Sequence, residues 1–236
     1  MIPSRVPLAR YAIYAAPAAD TALWRTACDW LGRDPERPDV LTRHGILGIP
    51  PDRHAAMVAE AGRYGFHGTL KPPFALAAGT EGSELEAAIE VFAAGYPAFP
   101  PIPMRVAAIS GFLAVVPAQS APALHALADA TVATFDRFRA PPSAAELARR
   151  RRATLSPAQD ANLVRWGYPY VFTEYRFHMT LTERLDPTEQ ETVLAGLRAR
   201  FDTALASPVS LDGLVLFGEP APGEPFRLLR RFQFAG

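Results

Sequence analysis

The seven residues Tyr64-Gly65-Phe66-His67-Gly68-Thr69-Leu70 return later in the chain as Tyr175-Arg176-Phe177-His178-Met179-Thr180-Leu181. Tyr, Phe, His, Thr and Leu recur in register, with a His-x-Thr-Leu unit at the centre of each copy. Self-similarity of this kind reads as internal duplication. In an extended strand successive side chains point to opposite faces and residues two apart share one. His and Thr of each copy therefore project together. Tyr64, Phe66, Gly68 and Leu70, with Tyr175, Phe177, Met179 and Leu181, form an apolar face fit for burial. The reactive faces read Gly65-His67-Thr69-Lys71 and Arg176-His178-Thr180-Thr182. Each combines an imidazole, a hydroxyl and a nearby cation, the groups a site handling phosphate needs.

Outward from the first copy, a strand is expected at Arg10 to Ala15 and a helix from Asp20 to Gly32. Gly45 to Ile49 could hold a short strand, and a helix from Pro51 or Asp52 to about Arg63 feeds the first His-x-Thr strand. Pro72-Pro73 should stop that strand. A helix from Ser83 to about Gly95 has Ser83 and Glu86 in capping-box spacing, and strands near Met104 to Ile109 and Phe112 to Val116 share the turn Ser110-Gly111. The second half opens with helices from Ala121 to Phe138, from Ser143 to Ala153 and after Ser156-Pro157. The second His-x-Thr strand follows, then a helix from Pro187 to about Ala206 and strands near Val209 to Phe217 and Phe226 to Phe234. Both halves repeat the order strand, helix, strand, turn, strand. The pattern predicts an α+β fold with antiparallel pairing, one domain over 1–236 with halves near 1–118 and 119–236. The stretch 135–170 has no counterpart in the first half and reads as an insertion, a lid or a wall of a cleft.

The chain resembles the two-histidine (2H) phosphoesterases, whose hallmark is a pair of His-x-Thr/Ser-x units. YGFHGTLKPPF (64–74), FDRFRAP (135–141), WGYPY (166–170) and FHMTLT (177–182) are similar to the branch named for phosphonate metabolism. The resemblance implies a duplicated two-lobed fold, antiparallel sheets flanked by helices around a central cleft. It also implies hydrolysis of a small cyclic phosphodiester of the ribose cyclic phosphate type, without metal or cofactor. His67 and His178 would divide the base and acid roles, and Thr69 and Thr180 would hold the phosphate. Lys71, Arg176, Tyr168 and Arg139 are the candidate substrate-binding residues. Two other functions fit the same motif: a 2′,3′-cyclic phosphodiesterase or ligase acting on RNA ends, and a non-catalytic nucleotide or RNA-end binding module.

The chain has 236 residues, 49% of them hydrophobic, and 24 basic residues balance 24 acidic ones. Zero net charge gives no electrostatic footprint for long nucleic acid, so a small phosphate-containing partner is expected. The run Arg149 to Arg152 beside Glu146 reads as a solvated helix face. A lone cysteine, Cys28, allows no intramolecular disulfide and suits a reducing compartment, which makes the cytoplasm the expected location. No run reaches the length of a membrane span. Catalytic zinc usually takes three protein ligands, whereas the repeat supplies one imidazole per strand and His44, His54 and His125 lack ligand spacing, so no metal is expected. Neither a Walker A loop nor a dinucleotide fingerprint occurs. Nothing in the sequence sets an oligomeric state.

Overall fold

The computed structural model describes residues 8–37, 44–46 and 48–235. β1 (Arg10–Ala15) is followed by α1 (Ala22–Leu31), capped by Thr21, whose hydroxyl accepts from the Trp24 amide, rather than by Asp20. Gly32 ends α1 in the left-handed region at φ 70°, as its position predicts. The short strand expected at Gly45 to Ile49 is absent among its described residues, where a turn closes through Ile49 N–H to the Ile46 carbonyl at 3.1 Å. α2 (Pro51–Tyr64) starts on a proline and leads to β2 (Gly68–Phe74). α3 (Gly82–Gly95) carries a capping box of Glu81 and Glu84, two residues before the one expected at Ser83 and Glu86. β3 (Met104–Ile109) and β4 (Phe112–Pro117) join through Ser110 at φ 49° and Gly111 at φ 92°. Two consecutive positive φ values are what a tight hairpin turn requires.

α4 (Pro122–Phe135) runs into a 3₁₀ turn at Asp136–Phe138, and the stretch beyond it holds α5 (Ala144–Arg150) and α6 (Pro157–Trp166). Ser156 and Gln159 form the capping box of α6. β5 (Met179–Arg184), α7 (Pro187–Phe201), β6 (Gly213–Glu219) and β7 (Arg227–Gln233) complete the chain. The strand expected from Val209 starts later because Val209 is held apart in a bridge to Ile102.

The strands form one antiparallel sheet in the order β3-β4-β5-β2-β1-β6-β7, so the fold is α+β. The order is symmetric about the β5/β2 boundary. β1-α1-α2-β2-α3-β3 corresponds to β4-α4-β5-α7-β6, with β7 outside the correspondence, and this matching meets at the Ser110–Gly111 turn. A division near 118 counts β4 with the first half. The halves are interlocked: α2 packs on β5 and α4 on β2, while α3 covers β6 and β7 and α7 covers β3 and β4. Each half therefore buries the other's strands, which gives a main core shared by both, beside a small separate cluster of Ala107, Ala114 and Val116 on β3 and β4. β2 continues through Pro72-Pro73 instead of stopping there, because it is paired to β5 at Gly68 and to β1 through Phe74, leaving the prolines in an irregular stretch of the ladder. No helix among the described residues is long and apolar enough to cross a membrane.

Candidate active site

β2 and β5 meet at Gly68 opposite Met179, which are equivalent positions of the two copies. Continuing that antiparallel register sets His67 across from Thr180, and Thr69 across from His178. The approach depends on Gly68, since a Cβ there would lie 2.4 Å from the Phe177 ring. A second tie crosses the copies, the Tyr175 hydroxyl donating to the Thr69 carbonyl at 2.9 Å. Both histidines sit one residue before their strands, and each ring Nδ1–H donates to a carbonyl two residues back, Gly65 for His67 and Arg176 for His178, both at 2.8 Å. A carbonyl can only accept, so the contact fixes the tautomer and leaves Nε2 of both rings for chemistry.

Beyond this shared geometry the surroundings differ. His67 stacks on the fully buried Tyr14, with ring centroids 3.7 Å apart and planes 18° apart. The Thr69 hydroxyl, 3.1 Å from Nε2, donates to it in the neutral ring. Burial drives His67 far below its ordinary value, to about 4, against the raising pull of the Gly65 carbonyl, and charge on His178 lowers it further. Burial also lowers His178, opposed by the Arg176 carbonyl, and its ring is flanked by Phe112 at 5.4 Å. The two rings are near enough for their charges to interact.

A cleft of about 420 Å³ opens beside these groups. Thr69 and His178 line it together with Arg176, Arg184 and, from the stretch after α6, Tyr168 and Tyr170. Arg176 and Arg184 are exposed, and among the described residues neither forms an ion pair. Thr180, half-buried on β5 opposite Ala114, completes the second unit.

Two expected substrate-binding residues are elsewhere. Lys71 is buried, with Nζ 3.2 Å from Asp136 Oδ1 and 3.4 Å from the Val132 carbonyl of α4. The β1 register jumps from Tyr14–Thr69 to Ile13–Lys71, and this bulge turns Lys71 away from the histidine face. Burial lowers its ammonium to about 8 against the raising pull of Asp136. Arg139 is likewise engaged, its guanidinium forked on Asp136 through Nε at 2.8 Å and Nη2 at 3.3 Å. Burial acts to raise the Asp136 carboxyl, but Arg139 and Lys71 outweigh it and hold it below its ordinary value. Arg149 and Arg150 pair with Glu146, Arg151 pairs with Asp160, and Arg150 also covers the Tyr168 ring at 5.0 Å.

The remaining histidines have structural partners: His44 meets Asp29, His54 stacks on Trp30, and His125 meets Tyr175 edge-on. Among the described residues no group of three or more His, Cys, Asp or Glu is arranged to hold a metal ion. Tyr14, Tyr175 and Arg184 are site residues that sequence reasoning passed over. Tyr175 carried a signal in the repeated tyrosine, which was counted only as apolar surface. Arg184 had one in its even spacing from His178. Tyr14 had none, because its stacking depends on strand pairing.

The family described as a protein of unknown function, DUF1045, matches residues 69–227. Two curated relatives carry the name ribose 1,5-bisphosphate phosphokinase PhnN. One from Janthinobacterium sp. (strain Marseille) is 38% identical over 233 residues, 97% of this chain. One from Laribacter hongkongensis (strain HLHK9) is 41% identical over 224 residues, 94% of this chain. Each match covers 51% of the relative, so the chain spans about half the length of the curated relatives it matches. A solved structure of E. coli LigT complexed with NADP+ aligns with 98% of this chain and 99% of its own, at 13% identity and a TM-score of 0.44.

Proposed function

The chain belongs to the DUF1045 family, whose description assigns no function, and we propose that it is a metal-independent phosphoesterase of the two-histidine type, hydrolysing a small cyclic phosphodiester of the ribose cyclic phosphate type. The observation that carries this reading is the crossed pairing at Gly68 and Met179, which turns two separate His-x-Thr units into one site with an imidazole and a hydroxyl on each side. A phosphate between them meets a hydroxyl from each strand and Nε2 from each ring.

His67, held neutral by burial, takes the proton of the attacking water as the new P–O bond forms. His178, in its protonated form, gives a proton to the departing sugar oxygen as the ring P–O bond breaks. Thr69, whose proton turns from His67 Nε2 to the substrate on binding, and Thr180 donate to non-bridging oxygens, where charge accumulates in the transition state. The product is a phosphomonoester, and the two rings end with exchanged protons that solvent restores. Each proton transfer contributes about a hundred- to ten-thousandfold. Arg176 and Arg184 supply the charge that retains an anionic substrate in the cleft.

The relatives' name points the same way as far as substrate class is concerned. That name refers to ribose 1,5-bisphosphate, and water opening a cyclic phosphodiester on a ribose phosphate yields a ribose bisphosphate. The kinase activity in that name has no counterpart in this sequence, which matches half of each relative and has no Walker A loop. Against a long RNA track stand the internal pairings of Arg149, Arg150 and Arg151.

Phosphorus NMR on a ribose cyclic phosphate, with and without chelator, tests the reading. The expected result is conversion to a phosphomonoester at the same rate in both. Absence of hydrolysis on ribose cyclic phosphates and on 2′,3′-cyclic nucleotides alike would overturn it, as would activity lost on chelation and restored by one metal.

A further inference from the structure

The stretch between α4 and β5 supplies the aromatic side of the cleft, yet it joins the catalytic strand through a compact polar cluster. Residues 138–140 pair with the continuation of β2: Ala77 N–H donates to the Phe138 carbonyl at 2.9 Å and Ala140 N–H to the Ala75 carbonyl at 2.8 Å. The beginning of the insertion is thus fixed to the strand that carries Thr69. Its far end is reached by a side chain. Arg139 grips Asp136 with Nε and Nη2 and uses Nη2 again to donate to the Arg165 carbonyl at 3.1 Å. The Arg165 guanidinium returns to Asp136 Oδ2 at 3.4 Å. Gly167 packs directly on this clip, since a Cβ there would lie 3.0 Å from Arg139 Nη1 and its φ is +74°. The next residue is Tyr168, edge-on to Tyr170 at 5.6 Å, both in the cleft wall.

Asp136 therefore receives Lys71 from β2, Arg139 from the start of the insertion and Arg165 from its end. From these contacts we propose that the Asp136–Arg139 fork is a positioning device: it holds the Tyr168–Tyr170 wall at a set distance from the histidine face, and so determines affinity for the sugar beyond the scissile phosphate. The proposal rests on the phosphoesterase reading above. Arg139 touches no substrate in it and acts through Gly167 and Tyr168. Lysine cannot substitute, because a point-like ammonium cannot grip a carboxylate with two parallel bonds and reach a carbonyl as well.

The test uses Arg139→Lys and Arg139→Met, with two cyclic esters: a ribose cyclic phosphate, and ethylene phosphate, which has the same five-membered ring and no sugar. For ribose cyclic phosphate, KM should rise about tenfold or more in both variants while kcat stays within about threefold, as expected when positioning rather than chemistry is lost. KM for ethylene phosphate should stay within about twofold of the wild type, since that ester does not reach the wall. Amide hydrogen exchange over 157–170 should accelerate with β2 and β5 unaffected. Should these variants fail to fold, Arg139→Gln, which keeps one donor for Asp136 but cannot both form the fork and reach the Arg165 carbonyl, should give the same split. Equal losses on both esters, full rescue by Arg139→Lys, or unchanged exchange over 157–170 would each overturn the proposal. Failure of the wild-type protein to hydrolyse ribose cyclic phosphates, 2′,3′-cyclic nucleotides and ethylene phosphate alike instead removes the phosphoesterase reading and with it the affinity half of the proposal, and the exchange over 157–170 then decides whether the fork holds the wall.

Discussion

The two copies of the repeat share their chemistry and differ in their setting. The first is enclosed: His67 lies on Tyr14, takes a hydroxyl from Thr69, and has Gly65 beside it, packed against Pro35. The second is open: His178 has Phe112 at its side, exposed Arg176 at the position of Gly65, and Arg184 further along the strand. Duplication supplies two equal imidazoles, and in the proposed mechanism their neighbours make His67 the base that stays neutral and His178 the donor on the charged side of the cleft.

The largest expected effect comes from removing either ring. His67→Ala and His178→Ala should each cost roughly a thousandfold or more in kcat, and the double variant should be hardly worse, because groups acting as a unit are not additive. Steady-state kinetics on all three decides this, and full activity in either single variant would end the idea of a matched pair.

The enclosure of His67 also sets a sign for pH. Its folded value near 4 lies below the ordinary 6.5, so the unfolded chain binds more protons between those limits. The stability is fully present above 6.5 and is lost as pH falls toward 4, on the order of 3 kcal/mol in all. Denaturation midpoints across that window should show the slope, and His67→Ala should flatten it more than His178→Ala does. With both imidazoles lowered, the maximum of kcat/KM should fall below pH 6.5. A maximum at pH 8 would contradict the assigned roles.

Making the copies alike should fail in one direction. At Gly65, φ is +81° and a Cβ would lie 2.6 Å from Pro35 Cγ, so Gly65→Arg should lower stability by about 1–3 kcal/mol without improving catalysis. Chemical denaturation measures it, and a neutral result would show that the first copy tolerates the charge of the second. Removing charge from the open side is the mildest change. Arg176→Gln and Arg184→Gln should each raise KM by about tenfold with little change in kcat, as expected for a charged hydrogen bond to an anion. An unchanged KM would leave the two copies different in burial but not in charge.

Much of this was legible in the sequence because strand alternation is local. It paired His with Thr, placed Tyr175 and Phe177 inside, and the Ser110-Gly111 turn marked its own hairpin. Alternation misleads where the ladder is irregular. A bulge after Thr69 sends Lys71 to α4, and a register shift after Thr180 buries Thr182, whose hydroxyl accepts from the Leu113 amide. Arg139 was misplaced for another reason. Its partners include the Arg165 carbonyl, and no local pattern announces which of several arginines will close a long insertion.

The pairing of Gly68 with Met179 has one more consequence. At a true twofold axis a residue faces its own image, so an assembly of two identical chains must place the same side chain, or the same absence of one, on both sides. Here one side is bare and admits the Phe177 ring, while the other carries a fully buried methionine. That solution is open only to a chain that encodes each half separately, and it lets the strands approach closely without leaving a hole at the centre of the sheet.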